Sequence, residues 1–107
     1  MQTQQLPARE EIITLVVGGL SDTLAQNDIT PAEDLGEGTY LIGRRSMLDS
    51  LGLVTLIVDL EQRIEEQYDV ALTLANDRAM SQKSSPFLTV GSLADYILTL
   101  IAEERGA

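Results

Sequence analysis

Histidine and cysteine are both absent from this chain of 107 residues. Zinc sites of the usual kind need imidazole or thiolate ligands, so none is expected. A Ser-His-Asp relay and a Cys-His nucleophile pair are excluded for want of a base. No disulfide can form, so redox chemistry does not fix the compartment, and a reducing cytoplasm is the default expectation. Tryptophan is missing too, and aromatic residues make up only 4% of the chain: Phe87, Tyr40, Tyr68 and Tyr96. The core must therefore be aliphatic. Basic residues are scarce, seven against 17 acidic ones, which leaves a net charge of −10. That balance disfavours nucleic-acid phosphates and anionic lipid, and favours a basic protein partner. No apolar run approaches the length of a membrane span. The stretch from Met1 to Pro7 is polar and has no basic region ahead of an apolar one, so no signal peptide is expected and residues 1–7 read as a flexible N-terminus.

What is present points to one folded domain over residues 1–107. Hydrophobic residues are 44% of the chain, ordinary for a globular protein and too many for a disordered one. A domain of this size buries only about two-thirds of its unfolded surface, so the core is modest. From Ala8 to Ala25, Ile12, Ile13, Val16, Val17, Leu20 and Leu24 recur with the spacing of one helical face. Glu10 and Glu11 suit the positive end of that helix, and Pro7 suits its first turn. Gly18 and Gly19 weaken its middle by roughly 1 kcal/mol each relative to Ala, which predicts either a close packing contact or a kink there. Asn27 to Met47, with its Pro31, Gly36, Gly38 and Gly43, reads as a long connection pinned onto the core by scattered apolar residues. It carries the only basic pair, Arg44-Arg45.

Leu51 to Tyr68 is the strongest helical segment. Asp49 or Ser50 can cap it, and Ser46 is a weaker capping candidate. Leu53, Leu56, Ile57, Leu60 and Ile64 form its expected core face. Leu51, Val54 and Val58 form a second apolar row that a surface helix does not need. That row either packs under the long connection or stays open as a docking surface. The later turns are acidic, with Asp59, Glu61, Glu65 and Glu66 relieved only by Arg63. Residues 68–74 read as a connection in preference to a strand, and 75–86 as a polar loop. A last helix begins at Thr89, with Val90, Leu93, Ile97, Leu100 and Ile101 on its buried side.

The chemistry, if any, belongs at Met47 to Leu51. There a Ser hydroxyl stands at a helix N-terminus, where free N–H groups and the helix dipole favour a phosphate. No histidine is available to activate Ser50, so another enzyme would have to act on it. Taken alone, a Ser or Asp ahead of an apolar helix is usually only a cap. Paired catalytic acids are not evident, nor is the D-x-D-x-D-G spacing of a calcium loop. The chain is therefore not expected to be an enzyme or a metal binder.

Leu48-Asp49-Ser50-Leu51, followed by Leu53-Val54, Leu56-Ile57, Leu60-Glu61 and Ile64-Glu65-Glu66, resembles the acyl carrier protein family. Thr89-Val90-Gly91-Ser92-Leu93-Ala94-Asp95-Tyr96-Ile97 is similar to the family's last helix. These matches cover about a third of the chain. The resemblance implies an all-α four-helix bundle, three longer helices and a short one between the second and the last. It implies that Ser50 carries a 4′-phosphopantetheine arm, transferred from coenzyme A by a Mg-dependent phosphopantetheinyl transferase. Acyl groups would be held on that arm as thioesters, for fatty acid, specialised lipid or secondary-metabolite synthesis. The implied partners are acyl-loading and acyl-transferring enzymes with basic docking patches, and the implied state is a cytoplasmic monomer. Asp49, Leu51, Val54, Val58, Asp59, Glu61 and Glu65 would form the partner surface. The sequence departs from the family pattern at Gly52 and Thr55, where fatty-acid carriers usually hold acids, and in a longer segment over 75–86, which points to a specialised member. A small acidic helical adaptor without covalent modification is the alternative from a different class.

Overall fold

A computed structural model describes residues 7–31, 34–75 and 85–106. Three helices order the described residues: α1 (Arg9–Gln26), α2 (Ser50–Tyr68) and α3 (Val90–Glu104). There is no strand among them, only an isolated bridge between Tyr40 and Thr89. The expected short helix between the second and last long helices is not seen among the described residues. Residues 69–75 are non-helical, as the connection reading required, and 76–84, most of the expected lengthened loop, lie outside the described residues. So does the N-terminal stretch 1–6. No described helix is long and apolar enough to cross a membrane.

α1 is the shared element and packs against both α2 and α3. Its buried face is Ile12, Leu15, Val16, Gly19, Leu20, Thr23 and Leu24, with Ile13 and Val17 partly buried beside it. The Gly18-Gly19 step is a packing contact within an unbroken helix. A Cβ on Gly19 would stand 2.9 Å from Leu60 Cδ2 and 3.2 Å from Leu56 Cδ1. The missing side chain is what lets α2 seat Leu60 in a notch of α1. α1 begins without a side-chain cap at Ala8, and the Glu11 carboxylate instead accepts a hydrogen bond from the Ala8 N–H at 3.1 Å. This is half of the reciprocal arrangement common at helix starts.

The core is aliphatic, as the composition requires. Ile12, Val16, Leu56, Leu60, Ile64, Val90, Leu93, Ile97 and Ile101 are all fully shielded from solvent. Phe87 and Tyr96 add the one aromatic contact described, edge to face with ring centroids 6.2 Å apart. The connections contribute Leu41, Val70 and Leu74.

The long connection is fixed mainly through its backbone. Val90 N–H donates to Thr39 C=O at 2.9 Å and Gly91 N–H to Glu37 C=O at 2.8 Å. Ser92 N–H donates to Thr89 Oγ1 at 3.1 Å, and Thr89 N–H to Ser92 Oγ at 3.0 Å. All four N–H groups that a helix start normally leaves unpaired are therefore satisfied in α3, two of them by the connection. Gly91 permits that approach, since a Cβ there would stand 2.6 Å from Glu37 Cγ and 3.2 Å from Glu37 O. Arg9 holds the same corner. Its guanidinium donates to Asp95 Oδ1 at 2.6 Å and to Glu37 Oε2 at 3.0 Å, joining α1, the connection and α3. The bond from Arg9 holds the Glu37 carboxyl below the usual carboxylate range.

Candidate functional site

Ser46 shapes the approach to α2. Its hydroxyl donates to Leu41 C=O at 2.8 Å and accepts from Leu48 N–H at 2.9 Å, which turns the chain just before the helix. Ser46 thus serves the turn, and the capping role considered for it falls elsewhere. Asp49 is the N-cap, accepting from Gly52 N–H at 2.7 Å in an extended backbone conformation. Gly52 fits closely beneath it: a Cβ there would lie 3.2 Å from Asp49 Oδ1 and 3.2 Å from Leu48 Cδ2. The sequence pattern treated Gly52 as a missing acid; the structure makes it the residue over which the cap closes.

Of the two candidate caps, then, Asp49 takes the role and Ser50 does not. Ser50 is the first residue of α2 and is exposed. Its hydroxyl makes no hydrogen bond among the described residues, which leaves it accessible to an external reagent.

Leu51, Val54 and Val58 are 74, 55 and 48% exposed. The alternative in which the long connection covers this row is overturned. The connection instead leans on α3 through the backbone bonds described above. The row runs along α2 from the residue next to Ser50, and the opposite face of the helix, Leu56, Ile57, Leu60 and Ile64, enters the core. Leu53, expected in that core, is only partly buried.

The acidic residues divide by role. Asp59 accepts from Arg63 Nε at 2.6 Å, one turn along α2, and the same guanidinium also bonds Asp22 of α1. Both contacts raise the Arg63 pKa, the Asp59 bond most. Glu61 accepts from Leu74 N–H at 2.8 Å and ties the segment after α2 back onto the helix. That segment leaves α2 through Asp69, whose left-handed backbone ends the helix. Glu65 and Glu66 are exposed, and Asp49 is exposed although its side chain caps the helix. The acids assigned together as a partner rim are therefore unequal. Asp59 and Glu61 hold the fold, and Glu65 faces solvent.

Glu61→Ala leaves the Leu74 N–H without its acceptor, and Leu74 is fully buried. The expected cost is about 1–3 kcal/mol. Glu65→Ala is expected to stay within about 0.5 kcal/mol of the wild type. Urea unfolding midpoints of the two variants check this; equal midpoints would return Glu61 to the solvated rim.

Asp22 was not singled out by the sequence, Ser46 only as a weaker capping candidate and Leu48 only as part of the Leu48-Asp49-Ser50-Leu51 motif. Ser46 had a usable signal, since a Ser two residues before a helix-entry position is a common side-chain turn. Asp22 had none, because its partner Arg63 lies on another helix. The described residues contain no group of acids placed to hold a metal ion, and the site has no charge relay. What it offers is an accessible hydroxyl at a capped helix start, an exposed apolar row beside it and acids further along.

Comparison with family models, with curated proteins and with solved structures finds no match for this chain.

Proposed function

We propose that this chain is a phosphopantetheine-dependent acyl carrier of a specialised kind, modified at Ser50. The observation that carries the reading is the division of labour at the start of α2. Asp49 does the capping, so the Ser50 hydroxyl has no structural task there and stands exposed beside an apolar row. An adaptor needs a cap at this point and has one without Ser50. A carrier needs a hydroxyl that a transferase can reach.

In the reaction, the Ser50 oxygen attacks the phosphorus of coenzyme A that bears the pantetheine. A phosphodiester to Ser50 forms, the phosphoanhydride bond breaks and adenosine 3′,5′-bisphosphate leaves. The hydroxyl proton passes to a base on the transferase, since this chain supplies none. The positive end of α2 favours the resulting phosphate charge. The sulfur then arrives with the arm, consistent with a chain that has no cysteine. Leu51, Val54 and Val58 supply an apolar centre for docking, and Glu65 a charge at its edge, where charge improves encounter and selectivity. The short fourth helix of the carrier fold would fall between α2 and α3. The uncharged turns at Gly52 and Thr55 favour a dedicated partner over the housekeeping fatty-acid enzymes.

The test is incubation with coenzyme A, Mg²⁺ and a broad-specificity phosphopantetheinyl transferase, followed by intact mass. The expected result is the gain of one phosphopantetheine, mapped by peptide mass to Ser50. A folded sample that gains no mass with several transferases overturns the reading.

A further inference from the structure

We propose that a cleft in the connection between α1 and α2 is a resting site for the prosthetic arm, an assignment that rests on the carrier reading above. The cleft measures about 490 Å³ and is lined by Asp34, Leu35, Thr39, Tyr40, Arg45 and Met47. That volume is within the usual range of small-molecule sites, roughly 300–1,000 Å³.

Position favours it. Met47 lies three residues before Ser50, so their Cα atoms are at most about 11 Å apart. The two amide-linked segments of the arm are longer than that span. The cleft is also held in place. Leu41 beside it is fully buried, and Thr39 C=O accepts from the first N–H of α3. An arm entering it meets a wall already ordered, so little loop entropy is lost on docking.

The chemistry matches both ends of such an arm. A phosphodiester at Ser50 adds an anion to a chain that already carries a net charge of −10. Among the described arginines, Arg9 and Arg63 are bound to carboxylates. Arg44 and Arg45 are exposed and pair with no carboxylate among the described residues, and they precede Ser50 closely in the chain. The Arg45 guanidinium stands over the Tyr40 ring, 5.6 Å from its centroid, which aims a cation along one wall of the cleft. Leu35 and Met47, both partly buried against the core, give an apolar wall for the branched carbons of the arm. Asp34 gives an acceptor for its amide N–H or hydroxyl groups. The cleft is open, and a free ligand would bind it weakly. A tethered arm is present at a high effective concentration and needs little intrinsic affinity.

The experiment uses the full-length loaded protein. With no cysteine in the chain, the arm carries the only thiol, and a maleimide nitroxide marks that end alone. Isotope-labelled protein is then compared by NMR with the nitroxide oxidised and reduced. The expected result is that the amide signals of Gly38, Thr39, Tyr40 and Met47 lose at least half their intensity. Arg45→Ala, a change at an exposed side chain, is expected to reduce that loss several-fold. Loaded protein whose broadening is confined to residues 49–54, or runs along Leu51, Val54 and Val58, overturns the cleft assignment and leaves the carrier reading standing. Absence of the mass gain overturns both.

Discussion

Ser50→Ala is expected to abolish phosphopantetheine loading and leave the unfolding midpoint unchanged, while Asp49→Ala costs about 0.5–2 kcal/mol of stability. The two effects separate because adjacent residues do different things. Asp49 closes the first turn of α2 through the 2.7 Å bond from Gly52 N–H. Ser50 is exposed at the first helical position, where Ala is at least as good a helix former. The acceptor oxygen for the arm is lost entirely in Ser50→Ala, so the effect on loading is all or none. Asp49→Asn keeps a capping oxygen and is expected to restore most of the stability lost in Asp49→Ala. Intact mass after transferase treatment and urea denaturation followed by circular dichroism are the two readouts. Loading that persists in Ser50→Ala would remove the carrier reading. A large loss of stability in that variant would make Ser50 structural after all.

The second large effect separates the two apolar faces of α2. Leu60→Ala is expected to cost about 2–5 kcal/mol, since Leu60 is fully shielded and sits in the notch left by Gly19. For a domain of this length that lowers the thermal midpoint by at least about 10 °C. Val54→Ala removes a side chain that is 55% exposed, and its stability should change by less than about 0.5 kcal/mol. Loading kinetics should show the reverse order, with Val54→Ala slowing transfer in protein that is still fully folded. Gly19→Ala sharpens the comparison. In the wild type the added methyl would meet Leu60 Cδ2 at 2.9 Å. In the Leu60→Ala background that obstacle is gone, the methyl fills part of the space, and the helix gains about 1 kcal/mol of propensity. Gly19→Ala should therefore be more favourable in the Leu60→Ala background than in the wild type, where the methyl also crowds Asp59 and Leu56. Equal effects in the two backgrounds would mean that the notch is not what seats Leu60.

The helices were legible in the sequence because an aliphatic chain with a 3.6-residue rhythm leaves few alternatives. Ile12, Val16, Leu20 and Leu24 in α1, and Leu93, Ile97 and Ile101 in α3, are buried as their spacing predicts. Leu15 was missed because the Ile-Val pairs around it drew the stripe to one side, whereas the face of α1 is wide enough to meet two helices. The choice between Asp49 and Ser50 could not be read from the residues, since either side chain can cap. It is settled by where the Ser46 turn releases the chain. Glu61 was grouped with the acids around it because its partner is a main-chain N–H in the following connection. The docking of the long connection on α3 was equally hidden. It is made of backbone bonds from Val90 and Gly91, and only Gly91 leaves any trace in the sequence.

That docking has a consequence for how the molecule comes apart. Because the first amides of α3 are closed by carbonyls of the connection ahead of α2, those amides can exchange with solvent only when the connection lifts or the helix frays. The connection ahead of Ser50 and the last helix therefore behave as one cooperative unit across a wide gap in the chain. Because the Ser46 turn that leads into Asp49 belongs to the same connection, opening of that unit is expected to loosen the start of α2, where Ser50 stands.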